Sequence, residues 1–475
     1  MTAPLAVALT VASGYALAWV VLRRSAAGAS RAIEALAYAP ALGFGGLSIL
    51  FFFAVALGSA PVGVGVFVAA SAVLALVLAR VVGSRPAATP RPERWGRVEI
   101  ALGLAAAVAT IAVVADAIDE SHRAPDGSWD AIAIWNRTAR FLFRAGSHTR
   151  DLLAQLDAGH PDYPLYLPAA LAGQFASVGS ASADIPRLTG LVLLLATPLL
   201  LAVTVRRLAC RWVGLAAAVV FLSAPLVPLQ AANQMGDVPV AYLLLAAAGG
   251  LASQLHPDAA RRVPPALAGA CCGLVAWTKN EGIPLAAVLA GAFLVFALAG
   301  GADRRRQLRA GALAFAGALP ALAALVLFKA TWAPRSDFIV GVTSGFDRAL
   351  DGGRWGTSLS ALAEELRSWE WWGPVWPYLA LAAIVGFAFA RGMRRPHVRF
   401  LSLATFGFGF GLVVVYVMTP LPQLWHIATS LRRLLFQIFP TATLLALVAA
   451  GAATLRGCPG DSRPLQSPAP PLDPS

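Results

Sequence analysis

The chain has 475 residues, 58% of them hydrophobic and only 13% charged, with a mean hydropathy of +0.70. A soluble protein of this length carries roughly a quarter charged residues, so a soluble multidomain reading is excluded and a polytopic membrane protein is indicated. The net charge of +13 does not point to nucleic acid, because the arginines fall in short clusters between apolar segments, as the positive-inside bias of cytoplasmic loops demands.

Apolar segments of spanning length are expected at 4–22, 36–58, 62–82 and 98–117. Others follow at 188–205, 213–229, 238–255, 264–277, 283–299, 310–328, 374–390, 400–418 and 438–455. No basic residues precede the first, so it is expected to be a retained helix rather than a cleaved signal. The four cysteines (Cys210, Cys271, Cys272 and Cys458) form no disulfide framework and no CxxC metal spacing. A shorter apolar stretch, 165–178, is interrupted by Pro168 and Gly173 and is expected to be re-entrant or interfacial. Only then do the arginine clusters at 23–31, 85–97, 206–211, 261–262, 304–309 and 391–399 lie on one side. The expected fold is therefore an all-α transmembrane bundle of about thirteen spans in the cytoplasmic membrane, with an external N-terminus. The Pro- and Ser-rich tail, 456–475, reads as disordered and cytoplasmic.

In this topology four polar loops face outward together: 116–163, 230–237, 329–373 and 419–437. In the first, a helix is expected from Asp130, with Ile132, Trp135, Ala139 and Leu142 on one face and Arg137, Arg140 and Arg144 on another. Such a helix suits the membrane interface, with Trp129 and Trp135 at headgroup depth. Asp130 either caps this helix or serves a site; Asp126 lies just before it. The loop ends in His160-Pro161-Asp162-Tyr163-Pro164, whose prolines fix how the chain re-enters the membrane. His160, Asp162 and Tyr163 are candidate substrate contacts or plain turn residues.

Asp237 stands where one helix emerges and another begins, as a second cap or a second site acid. Lys279-Asn280-Glu281-Gly282 places one of only two lysines beside a glutamate at the outer end of an apolar hairpin. Ionisable groups at such depth are functional candidates, and a local ion pair pinning the hairpin is the structural alternative. Near the C-terminus, His426, Arg432 and Arg433 fall on the outer side, against the charge bias. Guanidinium forks placed there suit a phosphate. Trp369, Trp371 and Trp372 suit interface anchoring or sugar stacking.

These residues, taken in order, resemble the GT-C superfamily of bacterial membrane glycosyltransferases, including relatives like the protein mannosyltransferases, which use polyprenyl-phosphate sugars as donors. Asp130, Trp135, Ala139 and Gly146 match that family's first external loop, and His160-Pro161 with Tyr163-Pro164 its return to the membrane. Asp237 corresponds to its second acid, Lys279-Asn280-Glu281-Gly282 to its basic–acidic–Gly hairpin, and Arg433 with Pro440 to its late outward Arg. The resemblance covers roughly 98–440. It makes 98–455 the core and 1–97 an addition of three helices.

It implies Asp130 and Asp237 as catalytic residues, with donor phosphate held by Lys279, His426, Arg432 and Arg433. Substrate contacts come from Asp126, Trp135, His160, Asp162, Tyr163 and Glu281. It leaves a divalent cation, Mg or Mn, optional, with Asp130 and Asp237 as its ligands where one is present. Many members carry two adjacent acids in the first loop, whereas Ala131 follows Asp130 here, which weakens metal ligation but not base catalysis. The implied partners are a polyprenyl-phosphate-linked sugar, a glycan, lipid or protein acceptor, and membrane lipids. A transporter or lipid-linked saccharide flippase, marked by broken helices and mid-membrane charges, is the alternative, and a noncatalytic scaffold a third.

Overall fold

A computed structural model describes residues 1–25, 28–82, 94–156, 159–335, 341, 345–388 and 392–454. The tail 456–475, Cys458, Arg391 and, in the cluster at 85–97, Arg85 and Arg91 lie outside the described residues. Among the described residues every regular element is helical. The chain opens with four long helices, α1 (Ala3–Val21), α2 (Gly28–Ala56), α3 (Val64–Val82) and α4 (Arg97–Arg123). Three short ones follow: α5 (Asn136–Ala145), α6 (Thr149–Ala154) and α7 (Tyr166–Val178). The middle of the chain holds α8 (Asp184–Leu208), α9 (Arg211–Leu222), α10 (Leu226–Ala232), α11 (Asp237–Gln254), α12 (Pro265–Thr278), α13 (Gly282–Leu298) and α14 (Arg304–Thr331). The last part holds α15 (Phe346–Ala349), α16 (Gly352–Arg367), α17 (Trp369–Trp372), α18 (Val375–Ala388), α19 (Pro396–Met418) and α20 (Gln423–Thr454).

Eight of these, α1–α4, α8, α14, α19 and α20, are long and apolar enough to cross a membrane. The pair α9–α10, bent by 71°, makes nine if it is one span. This is fewer than the thirteen expected. The other four expected spans are the helices α11, α12, α13 and α18, of 18, 14, 17 and 14 residues. Fourteen residues rise only about 21 Å, short of a hydrocarbon core of about 30 Å. Polar residues set these lengths: α11 begins at Asp237, α12 stops before Lys279 and α13 starts just after Glu281. The 13-residue α7, buried from Tyr166 to Phe175, spans about 20 Å and lies inside the bundle.

At the centre stands α11, buried along its whole length and packed by α8, α12 and α20. Small residues let backbones close in. In the α12–α14 pair a Cβ on Gly269 would lie 1.7 Å from the Ala314 carbonyl oxygen, and one on Gly317 2.0 Å from that of Ala266. The N-terminal helix α2 packs into the rest of the bundle. The Trp277 indole N–H donates to Ser48 Oγ (3.0 Å), and Tyr242 Oη donates to the Ala37 carbonyl (2.7 Å). Phe52 packs against Trp277, Phe328 and Trp332. So α2 belongs to the main core, while α3 is peripheral and touches chiefly α1 and α7.

The arginine clusters gather at one end. Arg207 pairs with Glu34, and Arg206 donates to Ser30 Oγ at 2.7 Å. Arg211 meets Glu99 (2.9 Å), Arg261 donates to the Ala209 carbonyl (2.7 Å), and Arg306 to that of Gln254 (2.9 Å). The opposite end carries the loops after α4, before α7, between α10 and α11, and between α12 and α13.

Candidate functional site

The helix expected from Asp130 begins as a π-turn, Ala131–Trp135, and continues as α5. The wide turn shifts the phase of the buried face to Ala131, Ile134, Trp135, Thr138, Ala139 and Leu142. Ile132, expected on that face, is instead 49% exposed. Trp129 is exposed, whereas Trp135 is buried, packs against Tyr163 at 5.6 Å, and roofs Gly236. A Cβ on Gly236 would sit 2.7 Å from the indole, so only glycine fits there.

Asp130 does not cap the helix; its side chain accepts no backbone N–H. Its carboxylate takes Nη1 of Arg433, from a segment 303 residues away. Both side chains are about one-fifth exposed, 21% and 22%. Arg433 Nη1 also lies 3.3 Å from Met235 Sδ.

Next to this pair lies a deeper one. Asp237, 1% exposed, accepts from Lys279 Nζ (3.1 Å) and Gln437 Nε2 (2.5 Å). Lys279 Nζ also reaches Glu281 Oε1 at 3.3 Å. Burial pulls the Lys279 ammonium down, but Asp237 and Glu281 outweigh it and hold it above the ordinary lysine range. The Lys–Glu pair expected at this hairpin is present, and the same lysine also pairs with Asp237.

A third group flanks them. Asn280 Nδ2 donates to Asp162 Oδ2 (2.7 Å), and Lys329 Nζ donates to Asn280 Oδ1 (2.8 Å) and to the Asp162 carbonyl (2.5 Å). Tyr163 Oη faces Glu281 Oε1 at 3.5 Å, and the His160 ring stacks on Tyr163 at 4.6 Å. Burial raises the Tyr163 phenol well above its usual pKa, helped by the charges of Glu281 and Asp162.

Not every expected residue joins this centre. Arg432 turns away, meeting Glu365 through Nε (2.8 Å) and lying 3.9 Å over the Trp371 ring. Glu365 also accepts the Trp372 indole N–H, and Trp372 is fully buried, so it is core rather than an interface anchor. Asp126 is exposed and pairs with Arg140 at 3.1 Å. His426 Nδ1 lies 2.9 Å from Thr419 Oγ1, within electrostatic reach of Glu281 and Arg433. The loop 329–373 is largely helical where it is described; Arg354 of α16 donates to the Val417 carbonyl at 2.7 Å, docking it on the end of α19. Lys329, Asn280 and Gln437 had not been singled out. Lys329 is the chain's other lysine, and Gln437 sits one turn after Arg433 on an apolar helix, so both carried a readable signal.

Among the described residues no three His, Cys, Asp or Glu side chains are disposed to hold a metal ion. Asp130 and Asp237 already face Arg433 and Lys279, whose charges repel a dication, so these residues do not fit the divalent ion that the resemblance implies. The centre keeps unused hydrogen-bonding capacity: Asp237 Oδ2, Glu281 Oε2 and Arg433 Nε are buried without partners. Buried polar groups are normally paired, so a polar ligand suits them. A cleft of about 240 Å³ near this end is lined by Pro4, Ile118, His122 and Arg187, among others, but by none of these residues.

The chain matches no protein-family model, no curated protein and no solved structure.

Proposed function

We propose that the protein is an integral membrane glycosyltransferase, with a GT-C-like core, that transfers a sugar from a polyprenyl-phosphate donor to an acceptor hydroxyl. The observation that carries this reading is the joining of Asp130 to Arg433 and of Asp237 to Lys279 at the end opposite the arginine clusters. By the positive-inside bias that end faces the periplasm or cell exterior, and the protein sits in the cytoplasmic membrane. Counting α9–α10 as one span and admitting α11, α12, α13 and α18 restores the thirteen-span topology.

The chemistry follows from the pairing. The donor phosphate takes Arg433, with Lys279 behind it, in exchange for their carboxylate partners. Asp130, released from the guanidinium, accepts the acceptor hydroxyl's proton. The oxygen attacks the anomeric carbon, the carbon–oxygen bond to phosphate breaks, and the configuration inverts. Charge developing on the leaving phosphate is stabilised by cations already in place. Asp237 orients Lys279, and Tyr163, kept protonated, supplies a donor beside Glu281. No step calls for a metal.

The transporter or flippase reading is favoured by one feature, the 71° break between α9 and α10 at Ser223-Ala224-Pro225. Proteoliposomes separate the two. Wild type supplied with a panel of radiolabelled polyprenyl-phosphate sugars and a mixed acceptor extract is expected to give labelled product, and Arg433→Ala to give little. Movement of lipid-linked sugar across the bilayer without bond cleavage makes it a flippase instead.

A further inference from the structure

At the arginine-rich end, His256, Asp258, Arg261, Arg394, Arg395 and His397 line an open cleft of about 450 Å³. His397 is 1% exposed, and neither of its ring nitrogens has a partner. Its ring lies 5.0 Å from that of His256. Three arginines and a single carboxylate, Asp258, line the cleft, and Asp258 lies 3.7 Å from Arg261 Nε. Arg261 is held in place by the Arg207 and Ala209 carbonyls (3.1 and 2.7 Å). The cleft also sits at the N-terminus of the 23-residue α19, whose N-cap is Arg395, where backbone amides and the helix dipole favour negative charge.

We propose that this cleft binds a phosphate group, presented either as the headgroup of an anionic phospholipid or as inorganic phosphate. The arginines supply charge and forked donors for phosphate oxygens. The buried His397 ring supplies a donor N–H that otherwise goes unmatched. The His256 imidazole, pushed down to about 4 by burial and the Arg261 charge, is neutral at pH 7 and leaves the ligand's charge to the arginines. This site lies at the end opposite the Asp130–Arg433 centre and does not depend on the transferase reading.

The test uses the full chain in neutral detergent, with histidine rings labelled with 15N and three probes: inorganic phosphate, dihexanoyl phosphatidylglycerol and dihexanoyl phosphatidylcholine. A saturable response of His397 to the first or second probe, and none to the choline lipid, is expected. A response to phosphate alone makes free phosphate sufficient, and a response to the glycerol lipid alone assigns a headgroup. Arg394→Gln with Arg395→Gln is expected to weaken binding at least tenfold. Arg304→Gln with Arg305→Gln, removing exposed arginines at the same end outside the cleft, is expected to leave binding unchanged. Equal weakening by both pairs makes the attraction bulk charge and overturns the site. Should the cleft variant not fold, the wild-type His397 signal decides: no movement with either anionic probe overturns the proposal.

Discussion

Replacing Lys279 with Met removes the cation from Asp237 while keeping the length of the side chain. Asp237 is 1% exposed and keeps the Gln437 amide as a hydrogen-bond donor, with the Arg433 charge nearby. Removing one member of a buried ion pair costs about 3–5 kcal/mol, because the other charge stays buried and uncompensated. The Gln437 contact argues for the lower end, about 3 kcal/mol. Asp237→Asn is milder, because Lys279 retains Glu281 at 3.3 Å; about 1–3 kcal/mol is expected. The double variant leaves neither partner of the pair uncompensated and is expected to lose about 2 kcal/mol less than the sum of the single losses. Unfolding in mixed micelles with increasing SDS reads all three. A Lys279→Met loss below about 1 kcal/mol, or losses additive within about 0.5 kcal/mol, would refute the buried pair.

The same lysine gives a pH signature. Its folded pKa lies above the ordinary value of about 10.4, so its stabilisation is complete below that pH and lost as pH rises through the folded value. Wild type is expected to lose stability above about pH 10.4 more steeply than Lys279→Met does; parallel curves would count against it. Gly236→Ala pushes a methyl group into the Trp135 indole and should cost about 1–3 kcal/mol, visible as a lowered Tm. The adjacent arginines should differ: Arg433→Ala is expected to raise the donor KM, whereas Arg432→Ala, which breaks the Glu365 and Trp371 contacts, should lower stability without changing it.

Apolar length made most helices readable. The first was expected at 4–22 and forms at Ala3–Val21, whereas the loops expected at 329–373 and 419–437 are largely helical where they are described, 423–437 being the start of α20. Four of the thirteen expected spans, α11, α12, α13 and α18, form helices of only 14–18 residues, and Asp237 and Lys279-Asn280-Glu281 mark the ends of the first three. Asp130, Asp237, Lys279 and Arg433 could be named because charged residues are scarce in so apolar a chain. Their pairing could not, since Asp130 and Arg433 are 303 residues apart and no local pattern links them. Arg432 and Arg433 are indistinguishable in sequence. On a helix their side chains diverge by about 100°, so one joins the centre and the other meets Glu365. The π-turn at Ala131–Trp135 likewise altered the helical phase and took Ile132 off the buried face.

The most direct measurement is single-turnover transfer by Asp130→Asn beside wild type, with one active polyprenyl-phosphate sugar and the product's anomeric configuration determined. The wild type is expected to yield inverted product. The variant, which keeps the side chain's shape but cannot take the proton, is expected to be slower by about 10²–10⁴-fold with donor affinity not weakened, because the neutral amide competes less with the phosphate for Arg433. Transfer by Asp130→Asn at the wild-type rate, or retention at the anomeric carbon, would contradict the role assigned to Asp130 and with it the mechanism.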